Sequence, residues 1–143
     1  MTGSAAIIDA NVSLKMLLPG PFQAACQSLI HRLVGDGLEL VAPALWAYET
    51  TSTICKAIHL GQISPLEGEQ VLSATSALGV RLVPSDAAQD RLAFGWTLRL
   101  RRGSTYDSYY LALAEILGCD LWTADQRLVN AAGAPWVRWA GEV

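Results

Sequence analysis

Residues 103–129 read GSTYDSYYLALAEILGCDLWTADQRLV. Tyr106, Tyr109, Tyr110, Leu113, Ile116 and Leu117 recur at three- and four-residue spacing, which predicts a helix with one apolar stripe. Gly118 stops that helix, as a residue free to adopt positive φ commonly does. Leu121 and Trp122 make a short buried strand, with Asp125 following at its carboxyl end. Helix, strand and helix in this order are the repeating unit of a parallel α/β sheet. Asp107 falls in the first turn of the helix and Asp125 in the first turn after the strand. In an open α/β sheet both places face the crevice where ligands bind. Either acid alone has an ordinary explanation, since Asp107 suits the positive end of a helix and Asp125 suits a cap. The pair carries chemistry only if further carboxylates converge on it.

Working outward, Ala5-Ala6-Ile7-Ile8 is an apolar run closed by Asp9, with Asn11 two residues on. It predicts a buried strand whose carboxyl end bears an acid. Helices are expected at Val12–Leu18 and Phe22–Val34, then a strand at Leu38–Val41 stopped by Pro43. The helix over Leu45–Leu60 places Ala47, Thr51, Ile54, Cys55 and Ile58 on one face and Glu49 opposite, beside Thr53 and Lys56. Glu49 is then either a solvated glutamate or a carboxylate lining a cleft. Ser64-Pro65-Leu66-Glu67 supplies cap, first-turn proline and third-position glutamate for the next helix, which runs to Leu78 and stops at Gly79. A strand at Val80–Val83, a helix at Ala87–Arg101 and an edge strand at Trp136–Trp139 complete the alternation. The expected architecture is a three-layer α/β/α sandwich with a central parallel sheet, a single domain over residues 1–143.

Under this layout Asp9, Glu49, Asp107 and Asp125 can all reach the carboxyl edge of the sheet. Unit charges about 4 Å apart repel by roughly 4 kcal/mol at an effective dielectric near 20. Four clustered carboxylates therefore need protons or a cation. Oxygen donors without His or Cys favour hard ions such as Mg²⁺ or Mn²⁺, and such an ion suits metal-assisted hydrolysis of a phosphodiester. Asp120 is another acid nearby, but as the residue leading into its strand it should lie at the far edge.

Composition narrows the classes. Of the 143 residues 52% are hydrophobic and 16% charged, which excludes disorder and predicts a generous core. No apolar run approaches a membrane span, and MTGSAAIIDA lacks the basic region of a signal peptide, so a soluble cytoplasmic protein is expected. Cys26, Cys55 and Cys119 are far apart and read as buried reduced thiols. His31 and His59 sit late in helices, where a cation is favoured. A net charge of −3 means that nucleic acid binding must rest on a local patch, and Arg99, Arg101 and Arg102 form the dense one. Mean hydropathy of +0.30, with Trp46 and Tyr48 as exposed candidates, predicts a homodimer with a hydrophobic interface.

The ordered segments Ile7-Ile8-Asp9-Ala10-Asn11, Pro43-Ala44-Leu45-Trp46-Ala47-Tyr48-Glu49, Tyr106-Asp107-Ser108-Tyr109-Tyr110-Leu111-Ala112-Leu113-Ala114 and Leu121-Trp122-Thr123-Ala124-Asp125 together resemble PIN-domain ribonucleases, specifically the VapC-type toxins of VapBC toxin–antitoxin pairs. The resemblance covers essentially the whole chain. It implies that Asp9, Glu49, Asp107 and Asp125 are the acidic quartet, catalytic and metal-binding. It implies supporting roles for Asn11 and Thr123, although Ser or Thr is commoner at the Asn11 position. It further implies Mg²⁺- or Mn²⁺-dependent endonuclease action on structured RNA of the tRNA or rRNA class, a homodimer, and a small antitoxin that enters the acidic cleft.

Other acidic α/β sandwiches fit less well. A phosphoryl-accepting receiver wants paired acids after the first strand, an Asp after the third and a late Lys, whereas Val83-Pro84-Ser85 follows the third strand and Lys is absent after Lys56. An aspartate-nucleophile phosphatase wants Asp-x-Asp, and Asn11 occupies the second place. A catalytically silent PIN-like protein- or RNA-binding module is the remaining alternative, against which stands the retention of all four acids.

Overall fold

The computed structural model describes residues 4–142; Met1–Gly3, part of the stretch assessed above as a leader, lie outside them. The described chain runs β1 (Ala5–Ile8), α1 (Ala10–Leu17), α2 (Gln23–Gly35), β2 (Glu39–Pro43), α3 (Leu45–His59), α4 (Pro65–Ala77), β3 (Arg81–Val83), α5 (Ala87–Leu100), α6 (Tyr106–Leu117), β4 (Asp120–Thr123), α7 (Gln126–Ala132) and β5 (Val137–Trp139), ending in a 3₁₀ turn at Ala140–Glu142. The five strands form one parallel sheet in the order β3-β2-β1-β4-β5. The expected three-layer sandwich is the observed architecture. Among the described residues no helix is long and apolar enough to cross a membrane.

Local chemistry accounts for most element ends. Ser64 and Glu67 close a reciprocal capping box at the start of α4, and Asp86 caps α5 through the Gln89 amide. Gly118 takes φ +65°, a left-handed conformation that a Cβ would strain, and thereby ends α6 where the sequence predicts. The edges are thin. β3 and β5 are three residues each, and Arg81 pairs with Glu39 beside the β3 edge, a charged fringe of the kind that discourages further strand pairing.

Side chains of β1 alternate between the two faces of the sheet. Ile7 joins the larger core with Leu121, Val41, Tyr110, Leu111 and Trp96. Ala6 and Ile8 join the smaller one with Leu29, Leu33 and Trp122. Helices α3, α5, α6 and α7 contribute to the first core and α2 to the second. Two expectations about helix faces are corrected. In α6 the residues from Tyr110 to Ala114 are all buried while Tyr106, Ile116 and Leu117 are exposed, because this helix lies against β1, β2 and β4 and under α5. In α3 the buried positions are Trp46, Thr50, Ile54 and Ala57, and Thr51 and Cys55 face outward. The Trp46 indole packs in the core on that face, so Trp46 is no surface candidate and Cys55, unlike Cys26 and Cys119, is no buried thiol.

Candidate active site

Strand order reverses at β1. The chain proceeds from β1 outward to β2 and β3, then returns to β4 on the other side. The crevice outside the carboxyl ends of β1 and β4 is therefore the topological switch point, where ligands bind in open α/β sheets. Asp9 follows β1 directly and caps α1, its amide donating to the Trp122 carbonyl at 3.0 Å. Only 5% of Asp9 is exposed, so its carboxylate requires partners.

Thr123 supplies one. This last residue of β4 is fully buried, and its hydroxyl donates to Asp9 Oδ2 at 3.0 Å. Thr123 Oγ1 itself accepts from Asn11 Nδ2 at 3.3 Å and from the Asp125 amide at 3.1 Å. Asn11 Oδ1 in turn accepts from the Ala124 amide at 3.0 Å. Thr123 and Asn11 thus stitch the ends of β1 and β4 together and fix the Asp9 carboxyl group. A threonine hydroxyl can donate once and accept twice, and here all three capacities are used.

Glu49 is half-buried and lines the cleft with Thr53, which decides between the two readings of this residue. Its Oε1 accepts from the Tyr110 hydroxyl at 2.7 Å. Tyr110 is fully buried, and the sequence reading assigned it only to an apolar stripe. A tyrosine inside the continuous run 110–114 was the available signal, since a buried phenol needs a polar partner. Asp107, in the first turn of α6, accepts from Arg102 Nη1 at 2.6 Å through Oδ2. Asp125 caps α7, its Oδ1 accepting from the Arg127 and Leu128 amides at 3.0 and 3.3 Å. Its capping role is real, and it stands beside the centre rather than along the cleft wall. Asp120 lies at the start of β4, at the far edge as expected, and pairs with Arg138.

The acids share one electrostatic neighbourhood. Burial, reinforced by the charges of Asp107 and Glu49, pushes the Asp9 carboxyl up to about 7, although the Thr123 and Asn11 hydrogen bonds oppose this. Burial raises Glu49 as well, against the hydrogen bond from Tyr110, and Asp107 adds to the rise. Burial also raises Asp107, opposed by Arg102 and assisted by Asp125. Tyr110 is held well above the ordinary phenol range by burial and by the Asp9 and Glu49 charges, so it stays a neutral donor.

A cleft of about 630 Å³ opens beside these groups. Asp9, Asn11, Glu49 and Asp107 form its acidic end, while Leu14, Leu18, Phe22 and Ile63 line an apolar wall. The donor set suits a hard divalent cation, because it offers oxygen atoms only and its acids resist ionising together. Among the described residues, however, no three acid, imidazole or thiol side chains are already arranged to grip one ion. Asp107 is turned onto Arg102 and Glu49 onto Tyr110. Each of these two carboxylates is thus engaged by a neighbouring side chain. Of the arginine patch, Arg99 stacks over Trp96 at 4.0 Å and Arg101 is exposed. Arg102 departs from that patch, because the turn after α5 brings it to Asp107.

Comparison with known proteins bears on the family of the chain. The PIN domain family matches residues 6–134. Ribonuclease VapC12 of Mycobacterium tuberculosis is 33% identical over 128 residues, spanning 89% of this chain and 92% of that protein. Ribonuclease VapC9 of the same species is 28% identical over 134 residues, spanning 90% and 91%. The crystal structure of M. tuberculosis VapC20, described as a sarcin-ricin loop cleaving toxin, superposes with a TM-score of 0.66 at 16% identity, covering 94% of this chain and 99% of that one. With the PIN-domain match over residues 6–134 and these relatives along nearly its whole length, the chain belongs to the PIN-domain family of VapC-type ribonucleases.

Proposed function

We propose that this single-domain chain is a Mg²⁺- or Mn²⁺-dependent endoribonuclease, the toxin of a type II toxin–antitoxin pair, acting on folded RNA of the tRNA or rRNA class in the cytoplasm. The observation that carries the reading is the buried Asp9 carboxyl beside Glu49 and Asp107, in a cleft whose lining holds neither a nucleophilic Ser or Cys nor a histidine base. Asp9, Glu49, Asp107 and Asp125 would hold the ion. A bound divalent ion activates water and stabilises charge on a phosphate.

The chain's own residues do the rest. Thr123 and Asn11 hold Asp9 in one orientation, and Tyr110 does the same for Glu49. The apolar wall of Leu14, Leu18 and Ile63 limits water at one side of the cleft. Exposed Arg99 and Arg101 supply phosphate contacts that position RNA without reading its sequence. A basic side chain from a small antitoxin would satisfy the same carboxylates and so block the site.

The homodimer belongs to this reading too. Tyr48, Phe94, Leu98 and Tyr106 are each at least 60% exposed, large apolar surfaces of the kind that partners cover. A monomeric mass by sedimentation at tens of micromolar would refute it. The central test is cleavage of a folded RNA with Mn²⁺ or Mg²⁺ and with excess chelator. Cleavage only with metal is expected. Full activity in chelator would overturn the mechanism, and no cleavage together with no metal-dependent rise in melting temperature would favour a silent binding module.

A further inference from the structure

The carboxylate centre already contains a cation, and the chain itself supplies it. Arg102 Nη1 lies 2.6 Å from Asp107 Oδ2 with both side chains about one-third exposed. Asp107 lines the same acidic end of the cleft as Asp9 and Glu49, and its charge bears on both. A cation on Asp107 therefore bears on all three.

The backbone is shaped to deliver this contact. α5 ends with Arg101 at φ +56°, the one non-glycine residue with positive φ among the described residues. The Arg101 amide then donates to the Leu98 carbonyl and the Arg102 amide to the Thr97 carbonyl, both at 3.2 Å. This left-handed closure turns Arg102 back toward α6. The two helices are welded at the same level by a buried hydroxyl pair, Thr97 Oγ1 to Ser108 Oγ at 2.7 Å. Arg102 and Asp107 are thus held at both ends, unlike a surface ion pair between two free side chains. The second cation near the site, Lys15, rests over the Phe22 ring at 5.2 Å.

We propose that Arg102 is the resident counter-cation of the acidic centre, holding Asp107 in the ion-free protein, yielding it when a divalent ion binds, and then pairing with the phosphodiester of the RNA. The inference rests on the metal-dependent nuclease reading. Two cations compete for one carboxylate, so each weakens the binding of the other by linkage. Once released, a guanidinium offers a planar fork of donors that matches a phosphate group. Arg102 acts on the metal through Asp107 and is in that respect a positioning residue.

The test measures Mn²⁺ affinity by calorimetry, without RNA and at fixed pH, for wild type, Arg102→Ala and Arg102→Gln. Both variants should bind Mn²⁺ about tenfold more tightly, and methylguanidinium added to Arg102→Ala should return the affinity toward that of wild type. Their affinity for a non-cleavable RNA in Mn²⁺ should fall, with the salt-dependence slope reduced by about one. A mere packing role would not produce tighter metal binding or its reversal by methylguanidinium. Should Arg102→Ala not fold, Arg102→Gln, which keeps the first part of the aliphatic stem and a shorter amide donor without the charge, decides the matter. Unchanged or weaker Mn²⁺ binding in a folded variant, with Mn²⁺-dependent cleavage by wild type, overturns this inference alone. A wild type that neither binds Mn²⁺ nor cleaves RNA overturns the nuclease reading and this inference together.

Discussion

Replacing Asp9 by Asn should stabilise the metal-free protein at neutral and higher pH. In the unfolded chain this carboxyl ionises at its ordinary value of 3.8, whereas the folded protein retains its proton up to about 7. Between those values the folded state binds more protons, so stability falls as pH rises, and the loss is complete above the folded value. Roughly three pH units at about 1.4 kcal/mol each amount to about 4 kcal/mol. Burial raises Glu49 and Asp107 as well, which acts in the same direction. Asn at position 9 removes the charging cost but keeps only one acceptor for the Thr123 hydroxyl and the Asn11 amide, a loss of about 1 kcal/mol. The net gain near pH 8 is about 3 kcal/mol, or roughly 10 °C in Tm for a chain of this size. Thermal melts in chelator from about pH 5 to about pH 8 should show a falling wild-type Tm and a flatter variant, converging in acid. Mn²⁺ should raise the wild-type Tm most at the alkaline end, by mass action on the ionised site, and leave Asp9→Asn largely unmoved. A variant no more stable than wild type at about pH 8 in chelator would refute the reasoning.

Asp107→Asn, nearly isosteric, should reduce cleavage by about 100-fold or more while RNA binding, measured by filter retention, largely survives. Tyr110→Phe leaves Glu49 without its 2.7 Å donor and should cost about 1–2 kcal/mol by urea titration, with a measurable drop in kcat. Trp46→Ala should destabilise by about 3–5 kcal/mol in the same titration, because the indole is buried; an unchanged midpoint would place Trp46 back on the surface.

Much of this architecture was legible because its determinants are local. The Ser64 capping box, the Gly118 stop and the apolar runs of β1 and β4 each act within a few residues. The acids at strand ends followed from topology, since a parallel sheet puts the ends of β1 and β4 side by side. What escaped depends on tertiary surroundings. The burial of α6 from Tyr110 to Ala114 reflects contact with strands below and α5 above, and periodicity describes a helix covered on one side only. The buried face of α3, Trp46, Thr50, Ile54 and Ala57, is set by the strands and helices it packs against. Arg102 looked like part of a basic patch because nothing in RLRRGSTYD states that Arg101 will adopt a left-handed turn.

The Thr123–Asp9 hydrogen bond joins positions 114 residues apart, and the Asn11–Thr123 bond spans 112. Contacts so distant along the chain close slowly, and during synthesis they cannot close until β4 has left the ribosome. Domains fold from the amino terminus at a pace set by translation, about 5–20 residues per second. β1, β2 and β3 can pair while β1 still lacks its other neighbour, leaving the Asp9 carboxyl without Thr123 and without its fellow acids on α6 and α7. No shorter nascent chain carries an assembled centre. A protein that destroys RNA thus stays without its acidic centre for as long as β4 is still being made or is held inside the ribosome.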